Sequence, residues 1–156
     1  MPAKLAVGSK APAFALPSDG GGEVSLSDFR GRKLVLYFYP KADTSGCTLE
    51  ARDFTRLAAQ FSKAGTTVVG VSADPVAALD KFKAKHKLGV ALASDEAHKA
   101  LDAYGVWAEK SMYGRKFMGI VRTTVLIGPD GRIAQIWPKV RVPGHAEEVL
   151  AAAKAL

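Results

Sequence analysis

At 156 residues the chain is long enough to bury one proper core, and a single domain spanning 1–156 is expected. Its 48% hydrophobic and 24% charged content is that of an ordinary globular chain, with no window apolar enough for a membrane span and no leader-like N-terminus. The cytoplasm is therefore the expected compartment, with no membrane partner. The net charge of +7 raises a nucleic-acid reading, but its densest run, KFKAKHK at 81–87, reads as the solvated C-terminal end of a helix. No nucleic-acid motif accompanies it, so no nucleic-acid partner is expected.

In chain order, the N-terminal segment is irregular, and SDGGGE at 18–23 reads as a tight surface turn. LVLYFY at 34–39 is a continuous apolar run ended by Pro40, the pattern of a strand buried on both faces. CTLEARDFTRLAAQFSKAG carries Leu49, Phe54, Leu57, Ala58 and Phe61 at helical spacing up to Gly65. A second buried strand, TTVVGVSA at 66–73, precedes Asp74 and Pro75, which read as N-cap and first residue of a helix through 87. A short strand at Val90–Ala93 follows, then a helix capped by Ser94 or Asp95 and reaching Tyr104.

An irregular, glycine-containing stretch comes next. TTVLI and RIAQIW then flank Gly128, Pro129, Asp130 and Gly131 as a hairpin, and GHAEEVLAAAKAL closes the chain as a helix. Strands alternating with helices give a parallel sheet, and the terminal hairpin adds antiparallel strands. The expected fold class is thus α/β: a thioredoxin-like fold, a central mixed sheet flanked by helices with an N-terminal extension.

The chain has one cysteine, Cys47, and three scattered histidines, His86, His98 and His145. An intramolecular disulfide is excluded, and no metal site or cofactor is expected. Cys47 sits where a buried strand passes into a helix. Backbone N–H groups and the helix end favour an anion there, and such sites commonly lower a thiol from about 8.5 into the range of roughly 3.5–7.5. The alternative at this level is an inert buried thiol packing as a small hydrophobe.

The spacing Pro40, Thr44, Cys47, with Gly46 before the thiol and Glu50 one turn after it, changes the balance. With its flanks YFYPKADT and GCTLEARDF, it resembles the peroxiredoxins, and in particular the peroxiredoxin Q (bacterioferritin comigratory protein) branch. VGSKAPAFALP, GVSADP, EKSMYGRKFMGIVRTT and GHAEEVLAAAK extend the resemblance along most of the chain. It implies a thiol-dependent peroxidase acting on hydrogen peroxide and organic hydroperoxides in antioxidant defence. Cys47 would be the nucleophile that becomes a sulfenic acid. Thr44 would hydrogen-bond sulfur and peroxide, Pro40 would shield the pocket, and Arg122 would stabilise the thiolate and the leaving oxygen. Glu50 either orients an arginine or suits the helix N-terminus. Trp107, Met112 and Tyr113 fall in a segment that resembles the family's pocket lining, although ordinary packing is the simpler expectation for each.

Two departures matter. Many relatives carry a resolving cysteine five residues after the first or in the next helix, where this chain has Arg52 and Lys83. Resolution must therefore come from an external thiol: thioredoxin, glutaredoxin or glutathione. Ser45 stands where the family commonly has proline, a change that restores a backbone N–H and either loosens the loop or adds a serine hydrogen bond at the helix start. A monomer is expected. The alternative function is a redox sensor or thiol-based binding protein with little turnover. A thioredoxin-type oxidoreductase fails for want of a second cysteine.

Overall fold

The strand with the densest apolar run, β3 (Lys33–Phe38), lies at the centre of a five-stranded sheet. The computed structural model describes residues 5–156. Before β3 come β1 (Ala15–Pro17) and β2 (Glu23–Ser25), an antiparallel pair closed by the glycine turn at 19–21, as expected. After it come β4 (Thr66–Ser72), β5 (Ala91–Ser94), β6 (Trp107–Met112), β7 (Arg115–Ile120), β8 (Thr123–Ile127) and β9 (Ile133–Trp137). The helices are α1 (Ser45–Arg56), α2 (Ala58–Lys63), α3 (Val76–His86), α4 (Lys99–Ala103) and α5 (His145–Ala155). The main sheet runs β5-β4-β3-β8-β9, parallel from β5 through β3 and antiparallel from β3 through β9. This is the expected mixed α/β sheet. The expectation that the N-terminus is not leader-like rests partly on residues 1–4, which lie outside the described residues.

Because strand side chains alternate, β3 feeds two cores. Val35, Tyr37 and Tyr39 point to the side covered by α1, α2, α3 and α5, among Phe54, Leu79, Phe82 and Val149. Leu34, Leu36 and Phe38 point to the other, with Leu101, Tyr104 and the N-terminal Leu16 and Val24. Double-sided burial is why β3 shows no polar alternation. Gly70 of β4 is the concession to this packing: a Cβ there would stand 2.6 Å from Cζ of Tyr37, its register partner.

Four expectations need correction. The helix after Cys47 is kinked into α1 and α2 at Leu57. Thr55 Oγ1 donates to the Ala51 carbonyl one turn back (2.7 Å), a bond that bends helices. Asp74 does not cap α3; its Oδ2 accepts from Ala42 N and Ser72 Oγ, both at 2.8 Å, and Pro75 takes the N-cap position. The helix expected from Ser94 or Asp95 starts only at Lys99, although Asp95 does accept from Lys99 N and Leu101 N. Finally, the stretch read as irregular forms the β6–β7 hairpin, with Tyr113 and Gly114 at its tip. Both of its outer faces meet solvent, so no buried-face alternation marked it.

Candidate active site

β3 ends under Tyr39, whose N–H donates to the Val71 carbonyl (3.1 Å), and half-buried Pro40 turns the chain away from the sheet. The following loop is clamped to its surroundings. Asp74 holds Ala42 N, while Asp43 accepts from Lys85 Nζ at 2.8 Å and has His86 Nε2 at 2.8 Å. Asp43 adopts φ +63, a left-handed conformation that aspartate tolerates better than most residues. The loop thus enters α1 with a fixed direction, and Cys47 becomes the helix's third residue, 1% exposed and facing the sheet.

Arg122 comes from the short link between β7 and β8, and Val140 N donates to its carbonyl (2.9 Å). Its guanidinium is shared. Nη2 donates to Cys47 Sγ at 3.3 Å, and Nη1 donates to Glu50 Oε1 at 2.6 Å. Burial works against the guanidinium's charge, but Glu50 and Cys47 more than offset this and hold its pKa above the usual value. Gly46 eases the approach, since a Cβ there would stand a tight 3.3 Å from Nη2.

Glu50 is the second buried partner. Desolvation pushes its carboxyl up to about 7, against the pull of Arg122. Its Oε2 is buried without a hydrogen-bond partner, as is the hydroxyl of Tyr37. Burial also raises the Tyr37 phenol well above its normal range, so it stays protonated. Behind this group lies His145, 2.8 Å from Thr124 Oγ1 and pushed down to about 4 by burial and by Arg122. The site is therefore a largely buried cluster of one strong cation, one thiol and one carboxyl of near-neutral pKa.

Of the expected residues, Cys47 and Arg122 stand together, and Pro40 lies at the loop's start. Thr44 differs from expectation. It occupies the N-cap position of α1, but its Oγ1 donates to the Lys41 carbonyl (2.8 Å) rather than to the sulfur. Glu50, left open between two roles, orients the arginine. Trp107 packs as expected, its ring 4.1 Å from that of His98, whereas Met112 and Tyr113 project into solvent. Sequence reasoning missed the Asp43, Asp74 and His86 clamp and the His145–Thr124 pair. Neither carried a legible signal, since each joins residues far apart in the chain.

Residues 7–136 match the family model described as the AhpC/TSA family. The chain is 49% identical over 146 residues to a putative peroxiredoxin bcp of Coxiella burnetii, covering 94% of this chain and 97% of that protein. It is 40% identical to peroxiredoxin Bcp of Escherichia coli, covering 94% of each. Among solved structures, a serine variant of Xylella fastidiosa PrxQ superposes with a TM-score of 0.92 at 41% identity, over 97% of this chain and 96% of that one. The Xanthomonas campestris bacterioferritin comigratory protein, described with alkyl peroxide reduction activity, gives 0.87 at 44% identity over 91% and 90%. Serine variants of the Xanthomonas protein exist at two different cysteines, whereas this chain has one. The chain belongs to the AhpC/TSA family and, within it, to the Bcp/peroxiredoxin Q group.

Proposed function

We propose that this chain is a single-domain, monomeric, cytoplasmic peroxidase of single-cysteine mechanism, reducing hydrogen peroxide and organic hydroperoxides at the expense of an external thiol. The observation that carries the reading is the shared guanidinium, bonded at once to the thiol sulfur and to a buried carboxyl. In the first step Cys47 Sγ attacks the terminal peroxide oxygen. An S–O bond forms, the O–O bond breaks, and the leaving oxygen takes up the proton given up by the Cys47 thiol, departing as the alcohol or as water. Arg122 donates to the sulfur and to the oxygens as negative charge moves across them, which needs aligned donors and no metal or organic cofactor. Glu50 fixes the plane of the guanidinium. Thr44 reaches the peroxide by rotating its hydroxyl off the Lys41 carbonyl, and Pro40 keeps the pocket closed.

The chain then requires help. The positions used by relatives for a resolving cysteine are occupied by exposed Arg52 and by Lys83, which is committed to an ion pair with Asp19 at 2.7 Å. A thiol such as glutathione, or that of glutaredoxin or thioredoxin, attacks the sulfenic sulfur and releases water. A second thiol attacks the resulting mixed disulfide and restores Cys47. Two thiols supply the two electrons that the peroxide takes. The sulfur is buried, so the first turn of α1 must open to admit the reductant. That turn has no side-chain cap and bears Ser45 rather than proline, both of which ease the opening.

Mass spectrometry of the reduced protein, treated with one equivalent of peroxide and then with glutathione, tests the cycle. Gain of one oxygen on Cys47 followed by a glutathione adduct, and regeneration on further thiol, is the expected sequence. Oxidation without any thiol-driven return would instead favour a sensor.

A further inference from the structure

The β6–β7 hairpin carries side chains that the fold does not use. Its register sets Met112 opposite Arg115 and Lys110 opposite Phe117, so these four share one face. On that face Met112, Tyr113, Arg115 and Phe117 line a shallow cup at the tip. Met112 is 56% exposed, Phe117 42%, Met118 on the opposite face 53%, and Tyr113 98%. Tyr113 occupies the first position of the two-residue turn with φ +52, and Gly114 follows at +77. Both central residues of such a turn need positive φ, and Asn, Asp or Gly fill the first of them at less strain. For other residues the left-handed conformation costs about 1–2 kcal/mol. Folding is therefore worse off for a tyrosine there, and among the described residues it stays 98% exposed.

The charge around these side chains is cationic. Between 107 and 120 the sequence has Lys110, Arg115 and Lys116 against Glu109 alone. Lys116 Nζ stands 3.7 Å from Glu109, and Lys110 Nζ donates to the Ile120 carbonyl and lies 6.0 Å from the Phe117 ring centre. Arg115 has no salt-bridge partner among the described residues.

We propose that this hairpin is a membrane-contact arm whose tip, Met112, Tyr113, Arg115 and Phe117, seats in the headgroup region of an anionic lipid bilayer. Size decides against a stable protein partner. A stable protein interface takes about 800 Å² from each side. Aromatic side chains bury about 150–250 Å² each, so a tip with two of them and one methionine falls short. A bilayer sets no such threshold. Tyrosine prefers its interface, apolar neighbours reach the acyl boundary, and each nearby Lys or Arg gains about 1 kcal/mol at an anionic surface. The expectation of no membrane partner rested on the lack of a span, and a surface contact needs none.

The test is co-flotation of the full chain with extruded vesicles of phosphatidylcholine, alone or with roughly a third phosphatidylglycerol. The protein is expected to float with the anionic vesicles and to stay in solution with the neutral ones. Replacing Met112→Ser, Tyr113→Ser and Phe117→Ser together should lower the bound fraction about tenfold while leaving turnover of hydrogen peroxide unchanged. Tyr113→Trp should add a blue-shifted emission that brominated lipid quenches. The proposal is overturned if the chain floats with neither vesicle, or if the triple variant floats like the parent, which would assign binding to net charge alone. It is also overturned if Tyr113→Trp emission ignores the lipid, or if the triple variant abolishes a concentration-dependent dimer instead. Peroxide turnover is read separately, so a failed contact and a failed peroxidase reading are told apart.

Discussion

Arg122 divides one guanidinium between a sulfur and a carboxyl, and that division makes the site more than a buried thiol. Arg122→Lys keeps the charge but loses the planar fork, so it cannot hold both partners. The second-order rate of Cys47 oxidation by peroxide should fall on the order of 10²-fold in stopped flow, with little change in unfolding midpoint. Glu50 makes a different contribution. Its carboxyl, raised by burial to about 7, ionises as pH rises through neutrality and then grips Arg122 through a charge-assisted bond. Peroxide reactivity should rise with pH through an inflection near 7, and Glu50→Gln should remove that inflection. If the variant's profile keeps it, Glu50 is only a spacer. Pro40, Thr44 and Cys47 were legible as a spaced set, whereas Arg122, far along the chain, was found only through the resemblance of its flanks to the family. The direction of the Thr44 hydroxyl was not legible, because a threonine before a helix has several backbone acceptors within reach.

At the scale of elements, β3 and β4 set the site's floor. Tyr37 fits because Gly70 opposite it has no side chain, and a methyl group there would press within 2.6 Å of the ring. Gly70→Ala should cost about 1–3 kcal/mol in urea unfolding through overpacking. An unchanged midpoint would mean that the ring shifts freely. β3, β4, β8 and β9 were readable from the sequence because burial on the sheet leaves apolar runs and the Gly128–Gly131 turn is explicit. The β6–β7 hairpin was not readable, since neither strand hides a full face and its turn begins with tyrosine. The kink at Leu57 escaped for another reason. It depends on which carbonyl Thr55 bonds, while the apolar spacing runs on unbroken from Phe54 to Phe61.

For the whole molecule, two buried titrating groups act against each other. The His145 imidazole holds its proton only below about 4 in the folded chain, but from about 6.5 downward once unfolded. The unfolded state thus binds more protons in that window, and folding loses stability as pH falls through it. Glu50 has the opposite sign: it is protonated below about 7 when folded and below about 4.5 when unfolded, so folding gains stability as pH falls across that range. The two should largely cancel between these limits. Glu50→Gln should unmask a stability that rises with pH over the lower window, whereas His145→Asn should show the reverse slope. Parallel curves for parent and variants in urea titrations would contradict the buried placement of these groups. The same connectedness reaches the N-terminal segment, which Asp19 ties to α3 through Lys83 and to β5 through Leu92 N.

We propose that loop, helix and Arg122 together make Cys47 a fast nucleophile toward peroxide. Stopped-flow mixing of the reduced protein with stoichiometric hydrogen peroxide, with Cys47→Ser as control, tests it most directly. Rapid consumption that depends wholly on Cys47, orders of magnitude faster than a free cysteine, is the expected result. A rate no greater than that of free cysteine would contradict it and leave the arrangement as a binding or sensing site.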